Sequence, residues 1–260
     1  MMLMITLFLS IIVLSACQES KTYDDLKSEF QLHLDSQNEI YENRISFLNE
    51  IYDNTLKSVV SITVSIGASN QIIRGTGVIF HESSTHYYVL TNHHVVHNDD
   101  GFLAMYRVND FLGNMFIAHL HFSSAAYDLA IISFSKPSYA LSVIDMREQN
   151  SRVDEEITIL GYPNTRMINV NMGNILAYTK ISIDQINSNI IDIQFDILAT
   201  YTPVKFGSSG SAVIDQNHEL VGIVYSAYFL TGFEISNATF IIPIEQVKVF
   251  IDLYNGSDSQ

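Results

Sequence analysis

Residues 75–96 read GTGVIFHESSTHYYVLTNHHVV. Two short apolar runs, Val78-Ile79-Phe80 and Tyr87-Tyr88-Val89-Leu90, flank a polar break at Glu82-Ser83-Ser84. Runs of β-branched and aromatic residues bounded by turn formers read as strands. The stretch therefore predicts strands over 71–80 and 86–92 with a tight connection between them. At the end of the second strand the apolar pattern stops at Thr91-Asn92-His93-His94. Two imidazoles follow a strand end, where a rigid scaffold can hold a reactive side chain.

The same pattern extends in both directions. Further runs at 58–66, 102–108, 114–122, 128–134, 156–161, 168–179, 189–198, 211–215, 219–226 and 238–242 carry strand formers. Turn residues separate them at 67–70, 98–101 and 215–218. About a dozen short strands at this spacing predict an all-β sandwich or barrel architecture. Roughly 200 residues of β structure are enough for two small barrels, divided in the polar stretch 135–154 around Pro137. A helix is predicted from about 244 to 254, because Pro243 suits a helix start. Upstream, Tyr41, Ile45, Leu48, Tyr52 and Leu56 recur at helical spacing. They predict an N-terminal helix that packs on the domain through this stripe. The stripe is too short to favour a coiled-coil partner.

Composition narrows the function. Of 260 residues, 13 are Lys or Arg and 28 are Asp or Glu, for a net charge of −15. Such a surface repels phosphate backbones, so nucleic acid is not expected as a partner. It also repels anionic headgroups, so membrane attachment would need an apolar anchor. The single cysteine, Cys17, rules out an intrachain disulfide and any cysteine cage for zinc or iron–sulfur.

Two further segments carry chemistry: Tyr127-Asp128-Leu129-Ala130-Ile131-Ile132 and Gly207-Ser208-Ser209-Gly210-Ser211-Ala212. With the histidine segment they resemble the trypsin-like serine proteases, most closely the bacterial Deg/HtrA-type enzymes. In that family a G-x-G strand precedes T-N-x-H-V-V, an Asp-Leu/Ile-Ala strand follows, and a G-x-S-G-[GS] turn comes last. All three occur here in the order His, Asp, Ser, which differs from that of subtilisins and α/β-hydrolases. The resemblance spans about residues 58–254. It implies a double six-stranded antiparallel barrel with flanking N- and C-terminal helices, the first barrel near 58–135 and the second near 155–243.

What the resemblance implies for the site follows residue by residue. Ser209 is the nucleophile, His94 its general base and Asp128 the acid that orients the imidazole. The N–H groups of Gly207 and Ser209 form the oxyanion hole. Taken alone, His93 and His94 are equal candidates; the motif selects His94 and leaves His93 as a solvent-facing neighbour. His94 and His97 lack a carboxylate at metal-binding spacing, so no metal and no other cofactor is expected. His119 and His121 alternate with Leu120 and require no chemistry. Tyr225, Ser226 and Ala227, on the strand after the nucleophile, are expected to pair with a peptide substrate. Residues 202–206 contain no acidic side chain, which argues against selection of basic side chains and for a medium apolar one. No C-terminal PDZ domain is expected, and the oligomeric state is not legible.

Residues 1–16, MMLMITLFLSIIVLSA, are uncharged and end just before Cys17. Leu14-Ser15-Ala16-Cys17 resembles the lipobox of bacterial lipoprotein signal peptides. That resemblance implies cleavage before Cys17, acylation of the new terminus and attachment to the cell membrane on its extracytoplasmic side. An uncleaved anchor and a buried core helix are the alternatives. The expected activity is that of a lipid-anchored endopeptidase acting on proteins or peptides. The competing readings are a latent or chaperone-like peptide binder, and an esterase with the same triad.

Overall fold

The computed structural model describes residues 22–67, 71–98, 103–163, 167–180, 193–229, 235–236 and 238–257. Cys17 and the apolar leader lie outside them. The chain divides into one unit ending at Asn49 and a second beginning at Glu50.

The first unit is the greater part of helix α1 (Tyr23–Asp53). A reciprocal cap starts it: Thr22 Oγ1 accepts the Asp25 N–H at 3.2 Å, and Asp25 Oδ2 accepts the Thr22 N–H at 2.9 Å. Together they satisfy two of the donors that a helix start leaves free. Of the expected stripe, Tyr41, Ile45 and Leu48 lie in the first unit, and Tyr52, in the second, is exposed. The buried helix residue is Ile51, and Leu56 is buried in a 3₁₀ turn (Thr55–Ser58) after the helix. Helical spacing defines a face, but it does not say what covers that face.

The second unit holds twelve strands among the described residues. Strands β1 (Val59–Ile66), β2 (Gln71–Glu82), β3 (His86–Thr91), β4 (Ala104–Asn109), β5 (Met115–Ser124) and β6 (Leu129–Ser135) close a barrel in the order β1-β2-β3-β6-β5-β4. Strands β7 (Glu156–Gly161), β8 (Asn169–Thr179), β9 (Ile197–Thr200), β10 (Ala212–Ile214), β11 (Leu220–Tyr228) and β12 (Ala238–Pro243) close another, ordered β10-β11-β12-β9-β8-β7. All neighbouring strands are antiparallel. The expected strand at 189–198 is the one displaced element. It begins at Ile197, and residues 189–192 lie outside the described set.

Alternation fills each barrel. Val60, Ile62 and Val64 point every second residue of β1 into the first core, beside Ile79, Val89, Ile132 and Phe134. Ile157, Ile159, Leu198, Val213, Val221 and Ile241 fill the second. Strand β6 is buried from Leu129 to Phe134 without alternation. Its apolar run serves a strand covered on both faces.

The connection 136–155 stitches the barrels together. Ile144 N–H donates to Ile79 O of β2 at 2.9 Å. Leu220 N–H of β11 then donates to Asp145 O at 2.7 Å, and Arg147 N–H donates to Leu220 O at 3.1 Å. The Arg147 guanidinium is held by Glu155, by Ser151 Oγ at 2.8 Å and by Asp215 at 3.4 Å. Helix α3 (Ile244–Ser257) leaves β12 directly and buries Ile244, Val247 and Phe250. Phe250 packs on Phe122 and Tyr127 of the first barrel region, at centroid distances of 5.3 and 6.2 Å.

Candidate active site

The histidine segment forms a short helix, α2 (His93–Val96), directly after β3. Asp128 stands at the corner before β6, fully buried, with φ of 47°. Short polar residues such as Asp tolerate this left-handed conformation better than most. Here the conformation aims every Asp128 acceptor at α2. Its Oδ1 accepts the His94 N–H at 2.9 Å, and its Oδ2 meets His94 Nδ1 at 2.6 Å. Its carbonyl accepts the His93 N–H at 3.1 Å and Asn92 Nδ2 at 3.0 Å. A carboxylate accepts, so Nδ1 carries the proton and Nε2 is left as the base. The His94 side chain is 30% exposed, open to a substrate on one side.

His93 differs from expectation. It is buried rather than solvent-facing, and its ring stacks on His97 at 4.3 Å. The one-turn helix turns adjacent side chains apart, so the stacked pair lies on a different face from His94. His119 and His121 are exposed on β5, where a bulge between Leu120 and Phe122 interrupts the register. His121 Nε2 lies 2.7 Å from Ser133 Oγ. Among the described residues no cluster of His, Cys, Asp or Glu is arranged to hold a metal.

The serine segment is a tight turn between two left-handed glycines, Gly207 at φ +90° and Gly210 at φ +84°. Space also demands glycine at both positions. A Cβ on Gly207 would sit 2.3 Å from Pro163 O, and one on Gly210 would sit 2.0 Å from Thr76 O. Hydrogen bonds lock the turn. Ser208 N–H donates to Lys205 O at 3.1 Å, Ser211 N–H to Ser208 O at 3.0 Å, and Gly210 N–H to Val224 O at 2.9 Å. Among the described residues the N–H groups of Gly207 and Ser209 donate to nothing. Two unspent donors beside one hydroxyl suit an oxyanion better than a neutral group.

Gly75 brings the two arms together. A Cβ there would lie 2.7 Å from Val95 of the histidine helix and 3.2 Å from Ser209 O. Lacking a side chain, Gly75 lets α2 and the serine turn approach the same point from opposite barrels. Ser209 Oγ makes no hydrogen bond among the described residues, to His94 Nε2 or to any other acceptor. Such contacts are often open in the free state of a catalytic site and tighten with substrate.

Beyond the turn, β11 runs past Ser209. Tyr225 sits at a bulge between Val224 and Ser226, with its ring buried, while Ser226 and Ala227 are half-buried. Tyr225 therefore presents no side-chain surface to a ligand. Phe206, immediately before Gly207, is 69% exposed and lies face to face with Phe229, ring centroids 4.3 Å apart. Val204, two residues before Phe206, is buried and paired to Ser236 by two hydrogen bonds of 2.9 Å. Sequence reasoning singled out neither this aromatic pair nor the buried Thr76. Thr76 lies inside the quoted Gly-Thr-Gly, and only the contacts of its hydroxyl distinguish it.

A model of the trypsin-like peptidase domain matches residues 75–223. The serine protease HtrA-like of Staphylococcus aureus strain USA300 is 24% identical over 211 residues. The match covers 76% of this chain and 27% of that protein. The homologue in the bovine strain RF122 has the same identity over 217 residues. The chain thus spans about a quarter of the length of these curated relatives. Among solved structures, the active form of the Rv3671c protease from M. tuberculosis superposes with a TM-score of 0.61 at 19% identity. That superposition covers 78% of this chain and 85% of the other. A variant of the HtrA-type protease AlgW, with tripeptide, gives 0.62 at 22% identity, covering 79% and 62%.

Proposed function

The chain belongs to the trypsin-like peptidase domain family, and from that membership we propose that it is a serine endopeptidase working through Ser209, His94 and Asp128. The observation that carries this reading is the twofold grip of Asp128 on His94, opposite a serine turn with two unspent N–H donors. His94 Nε2 takes the Ser209 proton as Oγ attacks a peptide carbonyl. The carbonyl oxygen becomes an anion and moves between the N–H groups of Gly207 and Ser209. Asp128 stabilises the imidazolium without taking its proton. His94 then protonates the leaving amine, and water, activated by the same imidazole, releases the acyl group from Ser209.

The substrate is a protein or peptide lying along β11, bonded to the backbone of Tyr225, Ser226 and Ala227 in the manner of an added strand. The side chain before the scissile bond is apolar, because Val204 and the Phe206–Phe229 pair lie next to the serine turn and residues 202–206 contain no carboxylate. The uncharged leader ending at Cys17 supports a lipoprotein, anchored by acyl chains on the extracytoplasmic side of the membrane. One observation favours a second, latent reading: Ser209 Oγ is not hydrogen-bonded to His94. Labelling with a fluorophosphonate, with Ser209→Ala as control, separates the two. Labelling of the wild type alone supports the enzyme. A folded wild type that does not label, and cleaves nothing, leaves a peptide-binding role. Mass spectrometry of the protein from membranes tests the anchor: a terminus that is neither cleaved nor acylated at Cys17 rejects it.

A further inference from the structure

Thr76 is fully buried, and its polar groups bind the serine turn, the strand before His94 and Tyr162. Its N–H donates to Ser209 O at 2.8 Å. Its carbonyl accepts the Thr91 hydroxyl at 2.7 Å, three residues before His94. Its own hydroxyl donates to Gly207 O at 3.2 Å and accepts the Tyr162 N–H at 2.9 Å. The hydroxyl has no rotational choice. A backbone N–H can only donate and a carbonyl can only accept, so the proton must point to Gly207. Gly161 makes room for this arrangement: a Cβ there would press to 3.3 Å from Thr76 Oγ1 and 1.9 Å from Ser211 Oγ.

These contacts act on particular peptide planes. The hydroxyl holds the plane between residues 207 and 208. The N–H holds the plane between residues 209 and 210. The intervening plane carries the Ser209 N–H, and the Gly207 N–H departs from the other side of the gripped Gly207 carbonyl. Glycine at positive φ is otherwise the freest residue in the turn. From this geometry we infer that Thr76 is a positioning residue for the oxyanion hole: its hydroxyl fixes the direction of the two anion-binding N–H groups and couples them to the segment that carries His94. The inference rests on the proteolytic reading above and concerns the regulation of its geometry. Thr76 touches no reacting atom.

The test compares full-length wild type, Thr76→Val and Thr76→Ser. Valine keeps the volume but removes both hydrogen bonds of the hydroxyl; serine keeps them. The expected result is a fall in kcat of at least about tenfold for T76V, part of what loss of an entire oxyanion donor produces. KM stays within about twofold, and fluorophosphonate labelling slows in parallel. T76S stays within about threefold of wild type. A merely structural role would lower the melting temperature of T76V yet leave kcat of the folded protein unchanged, and that result overturns the inference. Should T76V fail to fold, Thr76→Cys, a weak donor of similar volume, is judged by the same split between kcat and KM. An inactive wild type sinks the proteolytic reading instead. Crystal structures of wild type and T76V then decide alone, since an unmoved Gly207 in T76V overturns the positioning role.

Discussion

Asp128 holds His94 at two points, the backbone N–H through Oδ1 and the ring through Oδ2. One carboxylate thus sets both where the imidazole starts and which way it turns. Asp128→Asn keeps an oxygen for the backbone N–H but turns an amide donor toward Nδ1. The favoured tautomer then places the proton on Nε2, where a base is needed. The expected fall in kcat is about 10⁴-fold, the size seen when a triad acid becomes an amide. A melting temperature near that of wild type and a peptide-ester assay check it. A kcat within tenfold of wild type contradicts the role given to Asp128.

Gly210→Ala meets two obstacles at once. The left-handed backbone disfavours any side chain, by roughly 1–2 kcal/mol. The new methyl would also run into Thr76 O, which belongs to backbone and cannot swing aside. The variant should lose more stability than strain alone explains, at least about 2 kcal/mol in urea titration. A change below about 0.5 kcal/mol would mean that the turn relaxes freely.

The Arg147 network predicts how the fold responds to acid. Burial works to raise the Glu155 carboxyl, but the hydrogen bonds from Arg147 and the Arg152 N–H outweigh it and hold the group below its ordinary value. A depressed folded pKa stabilises above the unfolded value, near 4.3, and that stability drains away as pH falls through the folded value. The melting temperature should drop as pH is taken from about 5 toward 3. In Glu155→Gln the drop should be shallower from a lower start, and an identical slope in both proteins rules out Glu155 as its source.

Phe206→Ala tests the apolar subsite. The stacked ring is exposed and supports no core, so stability should change by less than about 0.5 kcal/mol. Selectivity for an apolar over a charged side chain before the scissile bond should fall about 10-fold, within the range a pocket contact controls. A peptide-library profile reads this directly, and an unchanged profile removes Phe206 from the subsite.

Much of the fold was legible because strands buried on one face keep period two and announce their ends with Ser, Asn and Gly. Strand β9 was not: Ile193 and Phe195 are strand formers that lie before pairing begins at Ile197. The bulges at Val224 and Leu120 were also invisible, since an extra unpaired residue leaves no mark on composition. For the site, motif order pointed to Ser209, His94 and Asp128, and hydrogen bonds join the last two. It could not say that His93 is buried, because adjacent histidines differ only in which way a one-turn helix points them. Thr76 escaped notice for a related reason. Three of its four hydrogen-bond partners, Tyr162, Gly207 and Ser209, lie more than eighty residues away, and no local pattern encodes them.

The seat of Phe250 against Tyr127 and Phe122 reaches from one barrel to the other. Tyr127 is the residue before Asp128, so a helix following the second barrel braces the corner that carries Asp128 in the first. Phe195, from the stretch before β9, bears on the same ring at 5.8 Å. Both aromatic supports of that corner thus come from the second half of the chain, and a first barrel produced by itself would lack them.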